Sequence, residues 1–398
     1  MVLVRHGILL LHRYVGLALA LFLIVLGLTG SLLAFNRDLE RLISPQLFVD
    51  PLPSSKMLGL ADLAERAQAL VPEARVVYLY VEPDQVTVTV LPRAGPSNGA
   101  PAITTLFLDP ATGRELGRRQ DGDLSEGLIN LMPFIYRLHR ELAAGPWGAF
   151  FLGVLALVWS IDCVVALYLT FPKGWREFWR RWKPSWQVKR RTSTFRLNFD
   201  LHRAGSLWLW PALFMFAWSS VMFDLPTAYE WATKSLFATT TLESILAAAS
   251  HPNDTPQLNW HQAETIGARL MAELAEQHHF AVRTPDGIGY LPEQGVYVYD
   301  AQTSLDVWRF GWKTGIWLDG DTGALRMFMP TTGDRLGDTI STWLRALHFG
   351  DVANSFLYRC FDCLMGLALA ALSATGVYVW LRKRAARKHA RRAIAGAS

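Results

Sequence analysis

The run YVGLALALFLIVLGLTGSLLAF occupies residues 14–35 and is apolar over the full length that a lipid bilayer requires. About 20 apolar residues in a helix span the roughly 30 Å of bilayer hydrocarbon. The run is too long for a signal peptide and no small-x-small cleavage site closes it, so it predicts a retained membrane helix. Similar blocks at Trp147–Phe171, Leu207–Leu225 and Phe356–Leu381 predict three more transmembrane helices.

Positive charge is concentrated beside these apolar blocks. The segment between the second and third blocks holds ten Lys and Arg, and the tail after Leu381 holds seven more. Cytoplasmic loops close to membrane ends are enriched in these residues, so the N-terminus, this loop and the tail are predicted to be cytoplasmic. The placement explains the net charge of +5 without a nucleic-acid partner. The two long segments, about 37–137 and 226–345, then lie outside.

The two outer segments share one order of elements. Each has a helical pattern, then short alternating strands, then a D-x-x-T-G turn in which Asp caps the turn and Gly takes a positive φ. These features lie at 57–71 (helix), 76–81, 86–91 and 104–108 (strands) and 109–113 (turn), and then at 262–279 (helix), 295–299 and 315–318 (strands) and 319–323 (turn). The recurrence predicts two α+β modules related by duplication.

Four of the ten histidines occupy related positions at the membrane ends. His12 and His202 each stand in a Leu-His-Arg sequence where the first and third blocks begin, at the cytoplasmic face. His139 and His348 each follow a Leu and lie eight residues before the second and fourth blocks, at the outer face. A lone interfacial His is often an amphipathic anchor. Two facing pairs, repeated between the halves, favour ligation of a cofactor.

A six-coordinate b-type haem is the group that two facing imidazoles suit best. Zinc prefers four ligands, which neither face supplies, and copper lacks a Met-rich or Cys-rich companion motif. No C-x-x-C-H sequence is present, so two non-covalent haem b groups are predicted. Arg13, Arg140 and Arg203 follow three of the histidines and suit the haem propionates, although positive-inside anchoring explains Arg13 and Arg203 equally well.

Two haems, one near each face, predict a path for electrons across the apolar core. The cytoplasmic loop is short and has no G-x-G-x-x-G after a strand, so no flavin or nicotinamide site is expected there. The electron donor is then a separate cytoplasmic reductase or a membrane quinol. The outer segments, about 220 residues together, have room to bind an acceptor.

Other chemically active residues have open roles at this stage. Asp162 lies inside the second block, where an acid could serve the haem, relay protons or bond to neighbouring hydroxyls. Cys163, Cys360 and Cys363 give no disulfide framework. An aromatic cluster in the second outer segment could line a ligand surface or pack in a core; it comprises Trp308, Phe310, Trp312 and Trp317.

The sequence LHRYVGLALALF, followed by GLTGSLLAF, resembles the first helix of the PepSY-associated transmembrane family. The turns DPATG and DGDTG resemble those of PepSY domains, and LHREL followed by GPWG fits the second helix. Some members are inner-membrane reductases of ferric siderophores in Gram-negative bacteria, with haem b in the membrane domain. The resemblance implies an oxidoreductase that delivers electrons to periplasmic Fe(III)–siderophore, whose hard oxygens hold Fe(III) far better than Fe(II). One departure is Phe349, which replaces an Arg after the fourth His.

The predicted fold class is a membrane α-helical protein with four transmembrane helices and two periplasmic α+β PepSY-like modules. Its predicted location is the bacterial inner membrane. The predicted segments are 1–36 (transmembrane helix 1), 37–137 (module 1), 138–172 (transmembrane helix 2), 173–201 (cytoplasmic basic loop), 202–225 (transmembrane helix 3), 226–346 (module 2), 347–382 (transmembrane helix 4) and 383–398 (cytoplasmic basic tail). Two alternatives stay open: a haem-free PepSY anchor that binds or restrains a periplasmic protein, and a cytochrome b that exchanges electrons with quinone.

Overall fold

The computed structural model describes residues 2–51, 53–92, 104–189, 191–249, 251–308, 313–352 and 355–395. The helices are α1 Val2–Leu33, α2 Asn36–Ile43, α3 Leu60–Leu70, α4 Leu131–Glu141, α5 Gly145–Thr170, α6 Phe178–Trp182, α7 Thr194–Trp208, α8 Trp210–Asp224, α9 Pro226–Lys234, α10 Leu242–Ala248, α11 Trp260–His278, α12 Leu336–His348 and α13 Phe356–Ala395. The strands are β1 Ala74–Glu82, β2 Gln85–Pro92, β3 Thr105–Leu108, β4 Glu115–Arg119, β5 Val282–Leu291, β6 Val296–Thr303, β7 Thr314–Asp319 and β8 Leu325–Met329.

Three helices in the described part of the chain are long and apolar enough to cross a membrane, and they lie within α1, α5 and α13. They coincide with the first, second and fourth apolar blocks, so the prediction of a long apolar helix is confirmed for these three. The predicted boundary between transmembrane helix 4 and the basic tail, at residues 382 and 383, does not coincide with a helix end. The helix α13 continues through most of the tail to Ala395.

The third apolar block does not form the single straight helix that the sequence predicted. Leu207 and Trp208 end α7, and most of the rest of the block forms α8. The two helices are bent by 69° at Leu209, and they count as a further span only if both are taken together. Pro211 lies at the start of α8. A proline has no backbone N–H and clashes with the carbonyl four residues earlier, here that of Leu207, so the helix breaks. The predicted boundary at residue 202 falls inside α7.

The helices α1 and α13 are in close backbone contact at two glycines. A Cβ added to Gly27 would lie 2.5 Å from the carbonyl oxygen of Gly366, and a Cβ on Gly366 would lie 2.4 Å from that of Gly27. The Ser31 hydroxyl donates a hydrogen bond to the Cys363 carbonyl across the same contact, at 2.9 Å. Small residues at such positions let membrane helices pack backbone to backbone.

The strands of the described part form one antiparallel sheet in the order β4-β3-β2-β1-β5-β6-β7-β8. The predicted strands at 76–81, 86–91, 104–108, 295–299 and 315–318 fall within or one residue beside β1, β2, β3, β6 and β7. The sequence did not reveal β4, β5 and β8. It also treated the two outer segments as separate modules, whereas β1 pairs with β5 across them.

The helices α3 and α11, one from each outer segment, pack against the sheet and share its apolar core. The two helices, the strand residues beneath them and both halves of the sheet form a single buried cluster. The carboxylate of Glu264, on α11, accepts hydrogen bonds from the backbone N–H groups of Leu60 and Ala61 at 3.1 and 2.9 Å. It satisfies donors that the first turn of α3 would otherwise leave unpaired.

The two D-x-x-T-G sequences form matching turns, as predicted. Asp109 Oδ1 accepts from the N–H of Ala111 at 2.8 Å, and Asp319 Oδ1 accepts from that of Thr322 at 2.9 Å. Gly113 and Gly323 have φ of +67° and +71°. Each segment therefore has the order helix, three strands, turn, strand.

Ion pairs connect the end of α1 to the sheet through the short helix α2. Arg37 pairs with both Glu82 and Asp84, at the β1–β2 turn. Arg41 adds a second contact to Asp84 at 2.9 Å. Because Glu82 and Asp84 are buried, these contacts fix the sheet relative to the membrane helices more firmly than exposed pairs would.

Replacement of Asp300 by Asn is expected to weaken the pH dependence of stability. Asp300 lies inside the sheet, where it accepts a hydrogen bond from the Tyr78 hydroxyl at 2.5 Å. Burial raises its pKa to about 7, against about 3.9 in an unfolded chain. The folded protein therefore binds this proton more tightly. The resulting stabilisation is complete below about pH 4 and falls by about 1.4 kcal/mol per pH unit as the pH rises through about 7.

Thermal unfolding in detergent at pH 5 and pH 8 measures this effect. The loss of Tm between the two pH values should be smaller in Asp300→Asn than in the unaltered protein. Glu82 retains part of the dependence, because burial raises its pKa to about 7 as well. Asp254→Asn is the matched control, since that side chain is 75% exposed. An equal loss of Tm in all three proteins would contradict the assignment.

Candidate functional site

Two cavities lie within the helix bundle, one at each end. The basic-end cavity has a volume of about 890 Å³ and contains His12 and His202 in its wall. The sheet-end cavity has a volume of about 910 Å³ and contains His139 and His348, with Trp308 of the β6–β7 connection beside them. Pockets that bind cofactors are commonly 300–1,000 Å³, so each cavity is large enough for one.

The basic-end pair joins α1 to α7. The imidazole centroids of His12 and His202 are 6.4 Å apart, with their planes at 44°. His12 lies in α1 two residues before the apolar run at 14–35, and His202 lies in α7, before the bend at Leu209. The sequence prediction that these two residues face each other agrees with this geometry.

The sheet-end pair joins two short helices that precede the membrane helices. His139 lies near the end of α4 and His348 is the last residue of α12. Tight turns follow both, through Leu142 with φ of 52° and through Gly350 with φ of 70°. These turns account for the gap of eight residues before each apolar block. The ring centroids are 6.4 Å apart here too, with planes at 68°.

The 6.4 Å between ring centroids in both pairs is close to the separation of two imidazoles bound to one metal ion. Metal–imidazole bonds are about 2.0–2.1 Å long, and a ring centroid lies roughly 1.2 Å beyond its nitrogen, so two rings on opposite sides of one metal ion have centroids about 6.4 Å apart. Both pairs have this separation. The described residues contain no group of three or more His, Cys, Asp or Glu that could hold a metal ion. Each site thus offers two imidazoles, and a metal bound between them would need its remaining ligands from elsewhere than these protein side chains.

All four rings engage a polar group through Nδ1. The acceptors are the Asp162 carboxylate for His12, the Leu372 carbonyl for His202, the Thr29 hydroxyl for His139 and the Ser219 hydroxyl for His348, at 3.0, 3.0, 2.9 and 2.7 Å. The two hydroxyls donate their own protons to backbone carbonyls, so they accept from the rings. A proton on Nδ1 leaves the lone pair on Nε2, which is the form of His that ligates a metal.

Two glycines make room for one ring in each pair. A Cβ on Gly30 would lie 3.1 Å from Cε1 of His139, and a Cβ on Gly376 would lie 3.1 Å from Cε1 of His202. Both distances are tighter than ordinary contacts, so any larger side chain would push the ring out of place. These glycines were not singled out from the sequence, because only the folded bundle brings them beside the histidines.

The three arginines predicted to neutralise propionates line the cavities. Arg13 and Arg203 line the basic end, and Arg140 lines the sheet end. Arg203 is partly engaged, because it donates to Asp200 at 2.9 Å, yet its Nε is buried without a hydrogen-bond partner among the described residues. An orphaned guanidinium donor in the cavity wall suits a carboxylate of the bound group. The residues present therefore fit haem.

Further cationic side chains in the cavity walls were missed. Arg345 lines the sheet-end cavity one turn before His348, and the helical i, i+3 spacing could have shown that both face the same way. It supplies a cation near the position where Phe349 departs from the family pattern. At the basic end, α13 contributes four more residues to the wall, namely Lys383, Arg384, Arg387 and Lys388.

One layer of side chains separates the two cavities. Trp159 lies in this layer, and every residue in it lines both cavities. The layer comprises Leu19, Leu23, Trp159, Leu213 and Leu369. The layer consists of four leucines and one tryptophan, so an apolar partition lies between the two sites.

The structure also places the residues whose roles the sequence left open. Asp162 bonds to His12 rather than to hydroxyls on neighbouring helices. The three cysteines are free thiols. Trp308 is buried beside the sheet-end cavity, while Trp317 lies within β7. Phe310 and Trp312 lie outside the described residues.

Comparison with known proteins identifies the family of the chain. No curated protein sequence matches this chain. The family model described as the PepSY-associated TM region matches residues 9–383, nearly the whole length. That range includes all four histidines and both halves of the sheet. The chain is a multi-pass membrane protein and belongs to the family of the PepSY-associated TM region.

Proposed function

We propose that this protein is a di-haem b oxidoreductase that delivers electrons from the cytoplasmic side of the bacterial inner membrane to ferric siderophores in the periplasm. The observation that carries the proposal is the pair of facing imidazoles in each cavity, with the same 6.4 Å separation. In this proposal His12 and His202 hold one haem and His139 and His348 hold the other. Bound there, haem would accept and release one electron at a time.

The remaining residues of each site bind and orient the group. The Nδ1 hydrogen bonds fix every ring with Nε2 available, which costs no reorganisation when the ligand binds. Arg13 and Arg203 at one end and Arg140 and Arg345 at the other offer cations to the propionates. The apolar layer around Trp159 excludes water and keeps the two sites in separate cavities.

The topology is part of the same proposal. The α7–α8 pair is taken as the fourth span, and the high Lys and Arg content of the 173–201 loop and of the tail places both on the cytoplasmic side. The sheet then lies in the periplasm, and its two halves, each a helix with four strands, are taken as duplicated PepSY-like modules. The lipid bilayer surrounds the helices.

The reaction is a one-electron reduction of Fe(III) held by a siderophore. Hydroxamate and catecholate oxygens are hard ligands that bind Fe(III) far more tightly than Fe(II), so reduction releases the iron. The electron comes from a separate cytoplasmic reductase or from a membrane quinol. The resemblance to ferric-siderophore reductases supports this substrate class.

Spectroscopy of the purified protein tests the proposal. Protein from haem-replete cells should show reduced b-type bands with dithionite, and a pyridine haemochrome assay should give about two haems per chain. Addition of a ferric siderophore under anaerobic conditions should re-oxidise the bands and form Fe(II). Colourless protein would overturn the proposal in favour of a haem-free PepSY anchor. A third outcome is that a quinone re-oxidises the reduced haem bands but no Fe(III) chelate re-oxidises them. That outcome would favour a quinone-linked cytochrome b.

A further inference from the structure

The two histidine pairs differ in the chemistry that holds them. His12 donates its Nδ1 proton to the carboxylate of Asp162, with both oxygens at 3.0 Å. The other three rings donate to uncharged acceptors, namely the Leu372 carbonyl, the Thr29 hydroxyl and the Ser219 hydroxyl. Among the described residues, the basic-end pair therefore contains one imidazole bonded to a carboxylate, and the sheet-end pair contains none.

Asp162 is buried in the middle of α5, with 9% of its surface exposed. Among the described residues, its ion-pair contact is with His12. An acid within a membrane-spanning helix is costly, and such acids are usually kept for function. Here the carboxylate lies in the wall of the basic-end cavity, directly behind the nitrogen donor that would face the iron.

A carboxylate behind an imidazole changes the metal that the imidazole ligates. The hydrogen bond moves negative charge onto the ring, makes Nε2 a stronger donor and favours the more positive oxidation state of the iron. Hydrogen bonding to axial ligands is one of the means by which a protein sets haem potential. A hydroxyl or carbonyl acceptor carries no net charge and has a smaller effect.

We propose that Asp162 is a positioning residue that gives the basic-end haem the lower midpoint potential of the two. The inference rests on the proposed function, because it requires haem at both histidine pairs. A lower potential at the basic end makes electron transfer towards the sheet end thermodynamically downhill. The carboxylate behind His12 and the hydroxyls behind His139 and His348 thus make electron transfer favourable from the basic end to the sheet end.

Potentiometric titration of the purified holoprotein tests this inference. His12→Ala and His348→Ala, each lacking one site, assign the two midpoint potentials of the unaltered protein. Asp162→Asn, which keeps the size and loses the charge, should raise the basic-end potential and leave the sheet-end potential unchanged. Asp162→Glu should restore the low value in part. Thr29→Val, the matched loss of a neutral partner at His139, should shift the sheet-end potential far less.

A reciprocal variant tests the inference even if Asp162→Asn fails to bind haem at the basic end. Thr29→Asp places a carboxylate behind His139 and should lower the sheet-end potential, narrowing or reversing the difference. Two haems whose potentials respond to neither variant would overturn the inference and leave the proposed function standing. Protein that binds no haem at all would overturn the proposed function itself.

Discussion

Purified His348→Ala protein is expected to contain about one haem per chain, against about two in the unaltered protein. The His348 ring packs between Phe216 and Phe223, with centroid distances of 5.4 and 5.1 Å, and Ser219 fixes its orientation. Alanine removes one of the two axial donors of the sheet-end site and leaves His139 without a facing ring. The pyridine haemochrome assay measures the loss directly.

The loss should be confined to one site. The basic-end pair lies on α1 and α7, whereas the sheet-end pair lies on α4 and α12. The reduced spectrum of His348→Ala should therefore keep the bands of the basic-end haem, and His12→Ala should keep the complementary set. His261→Ala is the matched control, since His261 is 52% exposed beside Asp62 and Glu65 on the sheet side. Unchanged haem content in both site variants would contradict the assignment.

The membrane helices were readable from the sequence because burial in lipid demands long uninterrupted apolar runs. The bend between α7 and α8 was not predicted from the sequence, although Pro211 is visible there. The apolar run continues across the break, so hydropathy alone joins two helices that the backbone separates.

The sheet was predictable where its strands contain runs of β-branched, aromatic or other apolar residues, as in β1, β2, β3, β6 and β7. The missed strand β4 has the sequence ELGRR, and the missed β5, VRTPDGIGYL, contains a proline and two glycines. Both compositions argue against a strand. Tertiary packing overrides them, because Gly287 and Gly289 let β5 pair closely with Tyr78 of β1. That pairing joins the two outer segments, which the sequence had treated as independent.

The histidines of the candidate site were found from the sequence, but their partners were not. The Leu-His context repeats in all four places, which is a local signal. The hydrogen bonds from His12 to Asp162 and from His348 to Ser219 join residues 150 and 129 positions apart. No spacing rule in one sequence connects residues on different helices, so the asymmetry between the two sites emerged only from the fold.

A transmembrane assay should show the largest effect of a single side chain. In vesicles with dithionite trapped inside, the unaltered protein is expected to reduce an impermeant ferric siderophore outside. The His348→Ala protein should form Fe(II) no faster than vesicles without protein. The reason is distance: from His12 to Thr29, which contacts the other site, α1 rises about 25 Å, most of the roughly 30 Å of hydrocarbon. A single remaining site at the basic end leaves that gap undivided.

The trapped donor and the remaining haem provide the internal checks for this assay. The bands of the basic-end haem in His348→Ala vesicles should still appear reduced, which shows that dithionite reaches the protein from inside. A ferrous-specific chromophore outside then reports only electrons that have crossed the bilayer. His261→Ala should reduce the ferric siderophore at the rate of the unaltered protein, because His261 lies on α11 and lines neither cavity. Undiminished Fe(II) formation by His348→Ala would show that the sheet-end pair is not needed for delivery, and the proposed path across the membrane would be wrong.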